Sequence, residues 1–426
     1  MTNTEKRIEA LHSEKTREQL AFLYGKDEQA LNAQTERYAA LVRRFAELFG
    51  DREDMQLISA PGRTEIGGNH TDHNHGRVLA AAVNLDALCA AAPREDLKVR
   101  FHSEGYDPLE MDLLDLSVQE GEKGTTRALI RGVAAGMKAA GYRIGGFDAA
   151  VTSTVAGGSG LSSSAALEVM LTGVLDGLYN AFDMPYPLRA QISKQAENAY
   201  FGKPSGLLDQ MASAAGGLVT VDFRDTDHPE VEAISYDFQQ RGYSLVVTAT
   251  GGSHADLTDQ YAAIPAEMKA VAACFGQPVL RGITAGQLME NLDHVRVQTG
   301  DRAVLRAFHF IREDERVPEQ VAALKEDRIE DFLRLINESG RSSYMYLQNV
   351  YADSRDESLC LALRMAEEML GSRGAWRIHG GGFAGTTLNF VPADLVEIFV
   401  ENMDRVFGKG ACSVLNIRPV GVARLA

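Results

Sequence analysis

Gly157-Gly158-Ser159-Gly160-Leu161-Ser162-Ser163-Ser164-Ala165-Ala166-Leu167-Glu168 is the stretch whose reading decides the fold. It runs into an Ala- and Leu-rich segment without proline, which predicts a helix over 161–180. The small residues ahead of it let backbone N–H groups crowd around an anion, and a helix starting among the serines adds about half a positive charge there. The stretch therefore reads as a phosphate cradle. The bland alternative, a turn with a serine N-cap, accounts less well for three serines behind three glycines. No GxxxxGK[ST] occurs in the chain, so this is not a Walker loop. Lacking a lysine, the loop needs Mg²⁺ to hold a nucleotide, with acidic and hydroxyl ligands supplied from elsewhere.

Three other patches carry chemistry. Pro61-Gly62-Arg63-Thr64-Glu65-Ile66-Gly67-Gly68-Asn69-His70-Thr71-Asp72-His73-Asn74-His75-Gly76 offers His70, Asp72, His73 and His75 either as metal ligands or as hydrogen-bonding groups for a polyol. Ser205-Gly206-Leu207-Leu208-Asp209-Gln210 sets one acid among small and apolar residues, where Asp209 is either functional or a helix cap. Gly380-Gly381-Gly382-Phe383-Ala384-Gly385 fits GxGxxG, but the residues after it read as a strand where a dinucleotide fingerprint needs a helix. Those glycines instead allow close approach of the backbone to a ligand or to the first loop.

Outward from these patches, residues 1–48 have apolar positions at helical spacing, and 55–92 and 147–160 read as strands and turns. Strands are expected over 217–223 and 243–250, helices over much of 258–370, then strands at 375–379 and 386–391, a helix at 393–407 and a strand at 413–419. No internal repeat or low-complexity linker interrupts this pattern. The simplest division is two α+β halves, 1–210 carrying both loops and 211–426 carrying the late glycine cluster.

At 426 residues the chain has room for two or three domains of about 150 residues each. Its 45% hydrophobic and 24% charged residues suit a soluble globular protein. A net charge of -16 repels phosphate backbones and anionic lipid, which argues against nucleic acid and membranes as partners. The charged start has no apolar signal-peptide core, and the most apolar run, 78–92, is broken by Asn84 and Asp86. Four cysteines without CxxC spacing fit a reducing, cytoplasmic setting.

Taken together, the patches resemble the GHMP-type small-molecule kinases, and within them the galactokinases, over roughly residues 45–426. The match rests on Ala60-Pro61-Gly62-Arg63 with His70-Thr71-Asp72, on Gly160 to Ala166, and on Gly380 to Phe383, in the family's order. Gly206 to Gln210 resembles the family's Gly-Ile-Met-Asp-Gln, and Arg306 with His309 a helix segment peculiar to galactokinases. The resemblance implies a two-domain GHMP fold of mixed sheets and helices with the active site in the cleft between domains. It also implies transfer of the ATP γ-phosphoryl group to the C1 hydroxyl of galactose. By the same resemblance Asp209 is the catalytic base and Arg63 its partner cation. Ser164 and Glu197 are implied as Mg²⁺ ligands, and Gly157, Gly158, Ser159, Gly160, Leu161, Ser162, Ser163 and Ser164 as the ATP cradle. His70, Asp72, Gly206 and Tyr261 match sugar-binding positions.

The departures bear on substrate. Where the family has Asn-Leu-Ile-Gly-Glu-His-Thr-Asp-Tyr, this chain has Glu65-Ile66-Gly67-Gly68-Asn69-His70-Thr71-Asp72-His73, so Asn69 stands where a Glu contacts the sugar's hydroxymethyl end. Asn69 is expected to face C6 and to ease the repulsion of a uronate, which leaves a C6-altered relative such as galacturonate as an alternative substrate. A catalytically silent sugar sensor on the same fold is the alternative from another class. Ala156, His379, Ala384 and Thr386 replace the usual Pro, Thr, Gly and Cys.

Overall fold

The computed structural model describes residues 1–155, 160–203, 205–251, 257–353, 355–383 and 385–425. Its strands, in chain order, are β1 (Gln56–Gly67), β2 (Arg77–Pro93), β3 (Lys98–Ser103), β4 (Leu109–Asp112), β5 (Phe147–Ser153) and β6 (Leu218–Asp222). They continue with β7 (Glu230–Ile234), β8 (Tyr243–Ala249), β9 (Ala375–His379), β10 (Thr386–Pro392), β11 (Cys412–Leu415) and β12 (Ala423–Leu425). One sheet runs β12-β1-β2-β5-β3-β4, with β6 pairing β2 and β7 pairing β6; the other runs β11-β8-β10-β9. The protein is thus α+β with two sheets, as expected.

Strand periodicity explains the layering. Cys89 and Ala91 on β2 face a core shared with the helix Ser163–Tyr179, while Leu88, Ala90 and Ala92 face the N-terminal helices. The alternation has period two, so each face of the strand buries a separate apolar row. Its alanines keep both rows shallow, which lets helices approach closely on each side. In the second sheet Leu245 and Val247 join that same shared core, and Val246 faces the helices Ser358–Leu370 and Val396–Phe407. The two sheets therefore share one core.

The expected helix over 161–180 is Ser163–Tyr179. The expected strand over 413–419 is shorter: β11 ends at Leu415 because the next residues leave the second sheet for the first. There Asn84 N–H donates to the Asn416 carbonyl at 3.0 Å and Arg418 N–H to that of Ala82 at 2.9 Å. Among the described residues no helix is long and apolar enough to cross a membrane.

Two register shifts in the β1–β2 ladder, between Pro61 and Arg63 and between Glu65 and Gly67, serve the site directly. A shift re-aims the side chains beside it, and here those are Arg63 and Glu65.

Candidate active site

Arg63 leaves β1 toward the short helix Leu208–Ala215 and grips Asp209 with both arms, Nε to Oδ1 at 2.6 Å and Nη2 to Oδ2 at 2.8 Å. A fork-to-fork pair of this kind fixes the carboxylate in plane as well as in distance. Asp209 does not cap its helix. Its Oδ2 also accepts from Ser162 Oγ at 2.7 Å, and the side chain remains 31% exposed, so a substrate can reach it. Burial pushes the carboxyl up, but the charge and hydrogen bonds of Arg63 and the bond from Ser162 outweigh that and leave it below the ordinary Asp value. Asp209 is an ionised acceptor.

The phosphate loop is tied to the same pair. Arg63 Nη1 donates to the Gly160 carbonyl and Arg63 N–H to that of Leu161 at 3.0 Å. Ser162, in left-handed conformation at the N-cap, spends its hydroxyl on Asp209 and leaves the helix start without a side-chain cap. That is the opposite of the turn-and-N-cap alternative, and it keeps the positive end of the helix available. Leu161, Ser162, Ser163 and Ser164 follow in order; Gly157, Gly158 and Ser159, together with Ala156, lie outside the described residues.

Ser164 Oγ donates to Glu197 Oε1 at 3.0 Å. Glu197 is 2% exposed and also accepts from Lys203 Nζ at 2.9 Å, Ser205 Oγ at 2.5 Å and Gln210 Nε2 at 2.8 Å. One hydroxyl and one carboxylate are hard oxygen donors of the kind Mg²⁺ takes, but all four acceptor positions of Glu197 are filled by protein here, so the ion would have to displace Ser164 or Lys203 from Oε1. Gln210 Nε2 also reaches Glu168 Oε2 at 3.0 Å, and burial followed by the nearness of Glu197 pushes the Glu168 carboxyl well up.

The loop after β1, expected from the sequence to bind sugar, turns through His70 in left-handed conformation. Burial lowers its imidazole to about 3, so it is neutral and donates from Nε2 to the Gly381 carbonyl at 3.0 Å. Tyr261 lies on the same glycines, its hydroxyl donating to the Gly382 carbonyl at 3.0 Å and its ring edge-on to Phe383. Asp72 borders Gly206, where any Cβ would collide with Asp72 Oδ2. Gly206→Ala should therefore displace that carboxylate. Since a misplacement of about 1 Å can cost ~10² in rate, kcat/KM for the sugar expected here from the sequence should fall by about that factor while affinity for the expected nucleotide holds. Steady-state kinetics with each substrate varied checks it; an unchanged sugar kcat/KM removes Asp72 from the site.

Asn69 is placed differently from the expectation. It is fully buried, its amide donating to Glu65 Oε1 and the Gly380 carbonyl, both at 2.8 Å, and accepting from Ser343 Oγ and Asn349 Nδ2, both at 3.1 Å. Its four hydrogen-bonding positions are thus filled by protein, so in this structure the side chain holds the loop from below and keeps no position free for a ligand. The reason is the neighbourhood that β1 and the helix Asp301–Lys325 build around it. His309 Nε2 donates to the Asn69 carbonyl at 2.9 Å, and Glu313 Oε1 accepts Gly68 and Asn69 N–H at 3.1 and 3.3 Å.

Sequence reasoning gave no supporting role to Glu65, Glu313, Gln210, Lys203, Arg377 or His379, which hold these groups from behind. Glu313 sits in Arg312-Glu313-Asp314-Glu315-Arg316, which looks like a solvated helix face; it is buried where the loop's Gly68 and Asn69 N–H groups and Ser339 Oγ converge on it. Against burial, Arg316, His309 and Arg377 bring its carboxyl down to about 2. Arg377 was legible, as an arginine inside the strand Ala375–His379; it pairs with Glu65 at 2.7 Å.

The chain resembles known proteins over most of its length. It matches the galactokinase galactose-binding signature over residues 43–93 and the GHMP kinases N-terminal domain over residues 128–217. It is 33% identical over 390 residues to a galactokinase of Streptomyces coelicolor, covering 89% of this chain and 96% of that one. A galactokinase of Lactococcus lactis is 31% identical over 375 residues, with 87% and 91% covered. Among solved structures, Lactococcus lactis galactokinase complexed with galactose superposes with a TM-score of 0.80 at 27% identity, covering 91% of this chain and all of that one. Methanococcus jannaschii mevalonate kinase, at 14% identity and a TM-score of 0.62, covers 86% and 99% and shares the fold alone.

Proposed function

The chain belongs to the galactokinase family of GHMP kinases, and from that premise we propose that it transfers the γ-phosphoryl group of ATP to the C1 hydroxyl of galactose. The observation that carries the reading is the half-buried but accessible, ionised Asp209 clamped by Arg63 between the sugar loop and the phosphate loop. In the reaction the C1 oxygen forms a bond to the γ-phosphorus, the bond from phosphorus to the β-bridging oxygen breaks, and the hydroxyl proton passes to Asp209. Arg63 keeps the carboxylate ionised, and its charge also faces the transferring phosphoryl group.

Asp209 is a weak base, and this suits phosphoryl transfer through a loose transition state, where the nucleophile needs orienting more than strong deprotonation. His70, Asp72, Gly206 and Tyr261 line the sugar side. The serines at the helix start and the loop backbone take the phosphates. Ser164 and Glu197 would hold Mg²⁺, which when bound neutralises charge on the nucleotide phosphates. Glu197→Gln should accordingly raise the Mg²⁺ concentration for half-maximal rate several-fold with galactose KM unchanged. A Mg²⁺ titration checks this, and an unmoved midpoint would make Glu197 structural.

The case for a C6-altered sugar rested on an amide facing C6, and the burial of Asn69 removes that ground. The test of the whole reading is ADP release with galactose, galacturonate, glucose, arabinose and N-acetylgalactosamine. Galactose should give the highest kcat/KM, and turnover with none of them would overturn the reading.

A further inference from the structure

His379 and Thr386 stand at the ends of β9 and β10 and pair directly across that ladder. Both are buried. The backbone N–H of Glu65 donates to His379 Nε2 at 3.2 Å, which makes Nε2 the acceptor and puts the ring proton on Nδ1. Thr64 Oγ1 therefore donates to Nε2 at 3.1 Å, and Nδ1–H donates to Thr386 Oγ1 at 3.1 Å. Burial and the nearby Arg63 and Arg377 keep the ring neutral, as these bonds require.

One side of the imidazole thus holds the backbone of β1 just after Arg63. The other side, with Thr386, forms the floor under Gly160. A Cβ on Gly160 would lie 2.8 Å from His379 Nδ1 and would also collide with Thr386 Oγ1, and the residue sits at φ +73°. Gly160 in turn gives its carbonyl to Arg63, which holds Asp209. The pair is the joint at which the second sheet grips both the strand and the loop of the catalytic pair.

We infer that His379 and Thr386 are positioning residues, setting Arg63 through β1 and the phosphate loop through Gly160. The inference rests on the galactokinase reading only for its rate measurements. Substitutions separate the two arms: Gln can place an acceptor where Nε2 lies, and Asn a donor where Nδ1 lies. For a folded His379→Ala, kcat on galactose should fall about tenfold or more while galactose KM stays within about threefold, the pattern of lost alignment. His379→Gln should regain more of kcat, and His379→Asn more of the ATP affinity measured by calorimetry without sugar. Folded His379→Ala with wild-type kcat, or Gln and Asn variants indistinguishable from Ala, would overturn the inference.

If His379→Ala does not fold, Thr386→Val decides, since it keeps the ring and removes only the acceptor beneath Gly160. Its affinity for ATP should weaken several-fold, and an unchanged affinity overturns the inference. Calorimetry with ATP needs no sugar, so wild type inactive on galactose would sink the functional reading and leave this test standing.

Discussion

Asp209→Asn should lower kcat by ~10² or more, the usual worth of a positioned general base, with ATP and galactose still binding. The substitution keeps size and planarity but changes what Arg63 meets. Asp209 offers two oxygens to Nε and Nη2, and Oδ2 takes the Ser162 hydroxyl as well. An amide must turn its NH₂ toward a donor on one side, so proton acceptance and alignment are lost together. Because Arg63 holds the wild-type carboxyl below the ordinary Asp value, kcat should show no acid limb from this group until pH falls beneath that value. Presteady-state phosphorylation with calorimetry for both substrates makes the test. Near-normal kcat in a variant that binds both substrates would take Asp209 out of the mechanism.

How much of this was legible in the sequence follows from how local each signal is. The serine run and its helix are read from neighbouring residues, and the helix Ser163–Tyr179 starts within the predicted range. Asp209 and Arg63 were nameable because each sits in a distinctive local motif, although 146 positions separate them. What stayed hidden was contact across long separations between ordinary-looking residues. Glu313 reads as one charge in a charged helix until Gly68 and Asn69, 245 and 244 positions away, present their N–H groups to it. Asn69 was misplaced for the same reason. The motif resemblance fixes its position in the loop, but whether its side chain points at ligand or protein depends on Ser343, Asn349 and Gly380, which no local pattern links to it.

Asn69→Glu is therefore a test of packing. Its amide nitrogen is 2.8 Å from the Glu65 carboxylate and 2.8 Å from the Gly380 carbonyl, so a carboxylate there would face two acceptors after losing both donors. The site is sealed from water, Glu65 is already pushed up by burial despite Arg377, and Glu313 lies against the backbone N–H of the same residue. A new unpaired charge in such surroundings costs about 3–5 kcal/mol, so the variant should melt well below wild type and lose affinity for every sugar as His70 and Asp72 shift. Glu65→Asn combined with Asn69→Glu returns one amide and one carboxylate to the same contact, within reach of the Arg377 guanidinium that now pairs with Glu65. The double variant should regain most of the lost stability, a coupling that thermal melts of the single and double variants measure directly. If Asn69→Glu instead melts like wild type and changes only the ratio of galactose to galacturonate turnover, the side chain faces the sugar. The buried network described here would then not be the state that binds substrate.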